Sequence, residues 1–211
     1  MATIAIIGAL EKEVAQIKEE LSGTHESQEA GLTVVNGGLS GLTVVATTAG
    51  MGTVNAAAAT QHLISKYAPQ AVVFSGIAGG LNPKLHINDV VIGKCLRYLD
   101  TDTALIAESA PGLEEFASTP ALADVAAVVL AEHGFVDASL DVAAAEMDPK
   151  QFLCGTIATG ERTAGSPEKM YPSITAGKWM DYLECRCHNG SGSGRTGEYW
   201  RGFRILYDIC R

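Results

Sequence analysis

Short apolar segments alternate with amphipathic ones along most of the chain. Residues 3–9 are apolar and rich in β-branched side chains, which predicts a buried strand. Beyond it, apolar side chains recur at helical spacing, at Leu10, Val14, Ile17 and Leu21, with Glu and Lys between them. A strand, a tight glycine turn and a helix are a usual opening of an α/β fold.

The same alternation continues to about residue 160. It predicts further strands over residues 31–36, 41–48, 71–74, 89–92 and 153–159, and helices over residues 54–67 and 121–132. We expect Gly37, Gly38 and Gly41 to supply the hairpin turn between the first two of these strands. The predicted fold class is therefore α/β, with three layers, α/β/α, around a central mixed sheet.

The composition is that of an ordinary soluble protein and argues against membranes and nucleic acids as partners. The 211 residues are 47% hydrophobic and 18% charged, and no apolar run approaches the roughly 20 residues that a membrane span needs. The net charge of −9 argues against nucleic-acid binding, which depends on Lys and Arg. The apolar amino terminus lacks a preceding basic region, so we expect no signal peptide and a cytoplasmic location.

The five cysteines are expected to be reduced thiols, because their number is odd and no secretion signal is recognised. Cys185 and Cys187, with His188, suggest a zinc site. Their spacing is too short for the usual zinc finger, however, and a fourth ligand is not evident. We therefore expect neither a metal nor another cofactor.

Glycine-rich breaks follow two of the predicted strands, at residues 50–52 and 76–80. In open α/β sheets, ligands collect at the carboxyl ends of the strands, and glycine lets the backbone approach a ligand closely. Neither break matches the Gly-x-Gly-x-x-Gly pattern of a dinucleotide site. Each break taken alone predicts a turn more often than a site.

Five segments are more informative together than any of them alone. They are residues 6–14, 49–52, 75–81, 88–91 with Arg97-Tyr98, and 155–160. In this order and at these spacings they resemble the 5'-methylthioadenosine/S-adenosylhomocysteine nucleosidase family, which has the nucleoside phosphorylase-like fold. The resemblance covers roughly residues 3–169. It implies a homodimeric enzyme of methionine salvage that takes small-molecule nucleosides, hydrolyses their N-glycosidic bond and releases adenine.

The resemblance places Glu13 where the family has its water-activating carboxylate. Cleavage passes through a cationic, oxocarbenium-like transition state, so a carboxylate beside C1' can both accept a proton from water and stabilise the positive charge. A structural role competes with this assignment. A glutamate near the start of a helix stabilises the helix dipole by about 0.3–1 kcal/mol, and that role suits Glu11 equally.

Other site residues follow from the resemblance alone. Leu10 and Met51 would line the pocket for the sulfur-bearing 5' substituent, although ordinary core packing explains them nearly as well. Ala78 and Gly79 would line the purine and ribose with their backbone, beside Ile77, which replaces a small polar residue of some relatives. Thr163 stands where the family has an aromatic residue that stacks on adenine.

Two alternatives stay open. A purine nucleoside phosphorylase would attack C1' with phosphate, but two carboxylates and one lysine in the first loop suit water better than an anion. A vestigial nucleoside-binding domain would fit the absence from residues 171–211 of two family motifs. These are a Met-Glu pair that holds the ribose hydroxyls and a late Ser-Asp pair that protonates N7 of adenine.

The sequence changes character after about residue 170. Residues 171–211 carry 6 Lys and Arg against 4 Asp and Glu, a net charge of +2, whereas residues 1–170 carry 9 against 20, a net charge of −11. Both tryptophans lie in this segment, and its periodicity is weak. We therefore expect a nucleosidase-like domain over residues 1–170 and an atypical tail over 171–211, for which a flexible glycine-rich tail is one interpretation.

A shift of reading frame between about Arg162 and Glu184 would explain the change, and the coding DNA tests it. Permitted codons for residues 184–197, read one base later, give Asn-Ala-Asp-Ala-Ile-Met-Glu-Ala-Ala-Ala-Val-Ala-Gln-Val, which resembles the missing family segment. We expect the gene to encode this Met-Glu in the alternative frame. Early stop codons there would contradict the shift and leave a genuine divergent tail, which should be ordered and packed.

Overall fold

The computed structural model describes residues 1–80, 85–86, 88–98, 102–113, 115–138, 150–160, 182–186 and 204–208. The chain forms two compact units, one of Met1–Gly76 with Tyr207–Arg211 and the other of Ile77–Leu206. Both contain β-sheet flanked by helices, so the predicted α/β class is confirmed. The predicted boundary near residue 170 stays a prediction, because residues 161–181 lie outside the described part.

The first unit has a mixed sheet of strands in the order β2-β3-β4-β1-β5. Its elements are β1 (Thr3–Gly8), α1 (Glu11–Glu20), β2 (Ser22–Glu29), β3 (Leu32–Leu39), β4 (Leu42–Thr48), α2 (Thr53–Tyr67) and β5 (Ala71–Gly76). Strand β1 pairs in parallel with β4 on one side and β5 on the other, whereas β2, β3 and β4 pair antiparallel. The carboxyl ends of β1, β4 and β5 therefore lie at one edge of this sheet.

Alternation along the strands sends apolar side chains to both faces of this sheet. One face packs beneath α2 in a buried cluster of Ala5, Ile7, Val34, Val45, Ala49, Ala59, Leu63, Val72 and Phe74. The other face carries a second cluster, in which Leu21, from the end of α1, packs with Val35 and Val44. A helix on each face of a sheet is the three-layer arrangement that the sequence predicts for this fold class.

Strand β2 is not predicted by the hydrophobic pattern, because its sequence, Ser-Gly-Thr-His-Glu-Ser-Gln-Glu, is polar and mostly exposed. Among the strands that the structure describes, it lies at the edge of the sheet and pairs with β3 alone. The hairpin prediction was wrong for Gly37 and Gly38, which lie inside β3. The turn is at Ser40-Gly41, where both φ angles are positive, as two-residue hairpins prefer.

The second unit contains strands of two to ten residues and two helices among its described residues. Its elements are β6 (Gly79–Gly80), β7 (Val90–Tyr98), α3 (Thr103–Ser109), β8 (Glu115–Ala117), α4 (Pro120–Glu132), β9 (Val136–Asp137), β10 (Gln151–Gly160), β11 (Tyr182–Arg186) and the first three residues of β12 (Arg204–Asp208), whose last two residues are counted with the first unit. Strand β7 pairs in parallel with β10 and β12, and β10 pairs in parallel with β11. Helix α4 packs on β7 and β10 through a cluster that includes Ile92, Ala123 and Phe152.

The strands of this unit differ from the predicted ones. Strand β7 runs six residues past the predicted end at Ile92, and β10 begins two residues earlier than predicted. Helix α3 is absent from the sequence prediction. Strands β11 and β12 fall in the segment with weak periodicity and pair with β10 and β7. Among the described residues, no helix has the length and hydropathy required to span a membrane.

A network of hydrogen bonds around Glu29 joins the end of β2 to α2. The Glu29 carboxylate, 6% exposed, accepts from Lys66 Nζ at 2.8 Å and Tyr67 Oη at 2.6 Å and lies 3.0 Å from His62 Nε2; Ser27 Oγ also donates to it. Burial alone would raise the pKa of Glu29. The donors together outweigh burial and hold this pKa well below its usual range.

This network predicts an acid-dependent stability. Because the folded pKa of Glu29 is lowered, its contribution should be complete above about pH 5 and fall as the pH drops through the acid range. We expect Glu29→Gln to lower the free energy of unfolding by about 1–3 kcal/mol at pH 7 and to flatten its pH dependence below about pH 5. Urea denaturation across pH 3–8 measures both. The exposed Glu26→Gln is the control, and an equal effect of the two variants would contradict the network's role.

Candidate active site

The first unit brings several of the predicted site residues to the carboxyl edge of its parallel strands. Glu13 lies in the first turn of α1, directly after β1, and Met51 lies in the loop after β4. Gly76 ends β5 at the same edge. Because β1 pairs in parallel with both β4 and β5, these three chain segments meet where ligands collect in α/β sheets.

Two backbone donors fix the Glu13 carboxylate. Its Oε2 accepts hydrogen bonds from the N–H of Ala9 at 2.7 Å and the N–H of Leu10 at 2.8 Å. Both donors belong to the turn that ends β1 and begins α1, and the helix N-terminus favours a negative charge there. The apolar Leu10 side chain cannot return a capping hydrogen bond, so the carboxylate provides the cap at this end of the helix.

Glycines at the ends of two strands leave space for Glu13. A Cβ added at Gly76 would lie 3.3 Å from Glu13 Oε1 and 3.5 Å from its Cδ. A Cβ added at Gly8 would lie 2.8 Å from Val14 Cγ1 and 3.1 Å from Glu13 Cβ. Oε1 therefore faces the end of β5, while Oε2 is held by the turn after β1.

The loop after β4 carries Met51 between two glycines in the left-handed region, Gly50 at φ +86° and Gly52 at φ +100°. On its entry side, the N–H of Ala49 donates to the carbonyl of Gly8 at 2.8 Å. On its exit side, Asn55 Nδ2 donates to the Met51 carbonyl at 2.6 Å. The loop is thus held at both ends, and the positive φ angles explain why glycine flanks Met51.

Glu11, the first residue of α1, contacts the end of β4 through its side chain. Its carboxylate accepts from Thr48 Oγ1 at 2.6 Å and from Lys18 Nζ at 2.8 and 2.9 Å. Hydrogen bonding from Lys18, and then from Thr48, lowers the pKa of Glu11. Glu11 and Glu13, equivalent in the sequence as helix-dipole residues, therefore have different partners in the structure.

The remaining predicted site residues are placed as follows. Leu10 and Met51 are half-buried. In the second unit, Ile77 is half-buried, Ala78 is buried and Gly79 belongs to β6. Thr163 lies outside the described residues. The sequence analysis did not predict that Gly8 and Gly76 lie against the Glu13 side chain. Their positions at the ends of predicted strands could have indicated a close approach there.

A carboxylate with one oxygen anchored and the other directed to a strand edge can act as a general base or stabilise a nearby cation. In the part of the chain that the structure describes, no group of three or more His, Cys, Asp or Glu side chains is arranged to hold a metal ion.

Comparison with known proteins gives a consistent assignment. The model of the Phosphorylase superfamily matches residues 3–173. A 5'-methylthioadenosine/S-adenosylhomocysteine nucleosidase of Shewanella sediminis is 36% identical over 160 residues, which are 75% of this chain and 64% of that relative. The nucleosidase of the same name from Bacillus licheniformis is 32% identical over 178 residues, 84% of this chain and 72% of the relative. The match thus spans just under two thirds of the Shewanella protein.

A solved structure supports the fold over nearly all of the 211 residues. The nucleosidase of the same name from Colwellia psychrerythraea, in complex with adenine, superposes with a TM-score of 0.69 at 26% identity. The superposition covers 97% of this chain and 80% of that one.

The space that Gly76 leaves for Glu13 predicts the effect of a single methyl group. In Gly76→Ala, the new Cβ would lie 2.9 Å from Phe74 Cε1 and 3.3 Å from Glu13 Oε1, so both side chains must shift. We expect the free energy of unfolding to fall by about 1–3 kcal/mol. The NMR signal of the Glu13 carboxyl carbon should also move. Gly38→Ala, in a strand but near Ser22 rather than Glu13, is the control; an unmoved Glu13 signal in Gly76→Ala would contradict the contact.

Proposed function

We propose a nucleosidase activity for this chain because it belongs to the Phosphorylase superfamily and, within it, to the 5'-methylthioadenosine/S-adenosylhomocysteine nucleosidase family. The proposed reaction is hydrolysis of the N-glycosidic bond of 5'-methylthioadenosine and S-adenosylhomocysteine. The products are adenine and the corresponding thioribose. The names of the relatives support this substrate class.

The observation that carries the proposal is the fixed carboxylate of Glu13. The N–H groups of Ala9 and Leu10 hold Oε2, which sets the orientation of the whole group. A water molecule that attacks C1' would lose its proton to this carboxylate as the bond to adenine breaks. The same negative charge would stabilise the positive charge that develops on the ribose in the transition state.

We propose the substrate-binding roles on the family resemblance, and the places of Leu10 and Met51 support two of them. Leu10 and Met51 are half-buried at the sheet edge where the first turn of α1 places Glu13. Such a position suits contact with an apolar, sulfur-bearing 5' substituent. Ile77, Ala78 and Gly79 follow β5 in the chain, and we assign the purine and ribose to their backbone. Thr163 is assigned to the purine side without aromatic stacking.

Hydrolysis is favoured over phosphorolysis by the charge at the site. A phosphate nucleophile would need convergent cations and N–H donors. In the first unit, the N–H groups of Ala9 and Leu10 are already used by Glu13, and Lys18 is paired with Glu11. The Glu13 carboxylate would repel phosphate, whereas it can activate water.

A nucleoside-binding role without efficient turnover is the second candidate. Residues 171–211 contain neither a Met-Glu pair for the ribose hydroxyls nor a late Ser-Asp pair for the leaving adenine. Without a general acid the base departs as an anion, which typically slows cleavage by about 10²–10⁴-fold. We therefore expect these 211 residues to bind the nucleoside and to cleave it slowly.

We attribute the missing motifs to a reading-frame shift and keep residues 171–211 as a separate segment. The change in charge and composition supports this proposal. The pairing of β11 with β10 and of β12 with β7 supports the alternative of a genuine divergent ending. A homodimer in the cytoplasm that acts in methionine salvage is proposed on the family resemblance.

Substitution of Glu13 separates an enzyme from a binding module. We expect the wild-type chain to release adenine from 5'-methylthioadenosine slowly, and Glu13→Gln to reduce that release by a further factor of about 10²–10⁴ with little change in affinity. Chromatographic detection of adenine measures release, and calorimetry measures binding. Glu19→Gln, an exposed change on the same helix, should leave both unaltered.

The other outcomes identify the alternatives. Tight nucleoside binding without adenine release by the wild-type chain would leave a binding module. Dependence of adenine release on added phosphate would indicate a phosphorylase. Turnover at the rate of an ordinary enzyme would refute the claim that residues 171–211 lack the leaving-group machinery.

A further inference from the structure

We propose that Glu11 and Thr48 form a tie that positions the Met51 loop, residues 49–52, on the first turn of α1. The tie thereby controls affinity for a nucleoside with an apolar 5' substituent. This inference rests on the proposed function for the identity of the ligand and for the contact of Met51 with its 5' substituent. The two residues act as positioning residues, since neither is assigned a contact with substrate.

The tie joins the element that carries Glu13 to the start of the loop that carries Met51. Thr48 is the last residue of β4, and its Oγ1 donates to Glu11 Oε2 at 2.6 Å. The next residue, Ala49, is held by a second hydrogen bond, from its N–H to the Gly8 carbonyl at 2.8 Å. The end of β4 is therefore bonded to the segment between β1 and α1 through both a side chain and the backbone.

Lys18 holds the acceptor of this tie in place. Its Nζ lies 2.8 and 2.9 Å from the two oxygens of Glu11, two helical turns away on the same face of α1. The Lys18 side chain is only 12% exposed, whereas that of Glu11 is 63% exposed. An exposed carboxylate samples several rotamers unless a partner restrains it, and the packed lysine supplies that restraint.

The Met51 loop needs this restraint because two of its four residues are glycines, whose backbone is flexible. Gly50 and Gly52 flank Met51 and have no side chains to pack, and their φ angles of +86° and +100° are accessible chiefly to glycine. Beyond the loop, Asn55 Nδ2 holds the Met51 carbonyl at 2.6 Å. The position of Met51 is thus set by hydrogen bonds at the two ends of the loop, and the tie is the side-chain hydrogen bond on the entry side.

The consequence is selective. A looser loop would displace Met51, the residue proposed to contact the 5' substituent, and would leave Glu13 held by its own two backbone donors. Affinity for 5'-methylthioadenosine should fall, whereas affinity for adenine, which has no 5' substituent, should not. A general loss of structure would weaken the binding of both ligands.

Calorimetric titration of the full chain with 5'-methylthioadenosine and with adenine tests the tie. We expect Thr48→Val, which keeps the side-chain volume and removes the donor, to raise the Kd for 5'-methylthioadenosine about 3- to 10-fold with the Kd for adenine unchanged. Thr48→Ser keeps the hydroxyl and should restore wild-type affinity. Glu11→Ala should match Thr48→Val, and the double variant should add little to either.

The controls make each remaining outcome decisive. Glu19→Ala, an exposed glutamate of the same helix, should have no effect. Equal weakening of both ligands, no change in Thr48→Val, or full additivity in the double variant would overturn the tie. If the wild-type chain binds neither ligand, the proposed function fails, and hydrogen exchange at the Ala49 amide then decides the tie. Faster exchange in Thr48→Val supports it, and unchanged exchange overturns it.

Discussion

The Glu13 carboxylate accepts hydrogen bonds from the N–H groups of Ala9 and Leu10, at 2.7 and 2.8 Å, in the turn between β1 and α1. This interaction satisfies backbone donors that a helix N-terminus leaves unpaired, and it fixes a charged group at the strand edge. One glutamate thus performs a structural task and is placed for the chemical task that we propose for it. The two interpretations that compete at the level of sequence, a helix cap and a general base, are compatible in the folded chain.

The surroundings of that carboxylate explain the distribution of glycine. Gly8 and Gly76 end two parallel strands where a Cβ would meet the side chains of Val14 and Glu13, so small size is what these positions need. Gly50 and Gly52 have positive φ, so backbone freedom is what those positions need. Glycine therefore has two roles near Glu13. At Gly8 and Gly76 it lets side chains pack against the strand ends, and at Gly50 and Gly52 it allows positive φ angles.

Two separate sets of charged residues act on the first unit. The Glu29 network joins β2 to α2 through a buried carboxylate and several donors, and its role is stability. The Glu11 set joins α1 to the end of β4 through an exposed carboxylate, close to the residues assigned to the substrate. The Glu29 side chain is buried, whereas that of Glu11 is exposed. We therefore expect loss of the Glu29 carboxylate to reduce stability and loss of the Glu11 carboxylate to alter affinity for the nucleoside.

The spacing of apolar residues was enough to predict the alternation of strands and helices, because that spacing differs between strands such as β1 and β5 and helices such as α1 and α2. With the family resemblance, the sequence also singled out Glu13. It did not reveal β2, whose polar residues pair at a sheet edge without burying a face, or the true place of the turn at Ser40-Gly41. Without the resemblance, their shared position at the start of a helix could not separate Glu11 from Glu13. The folded chain separates them, because Glu11 accepts from Thr48 whereas Glu13 faces the space beside Gly76. Thr48 and Gly76 are distant in sequence from α1, and they approach it only when β4 and β5 pair with β1.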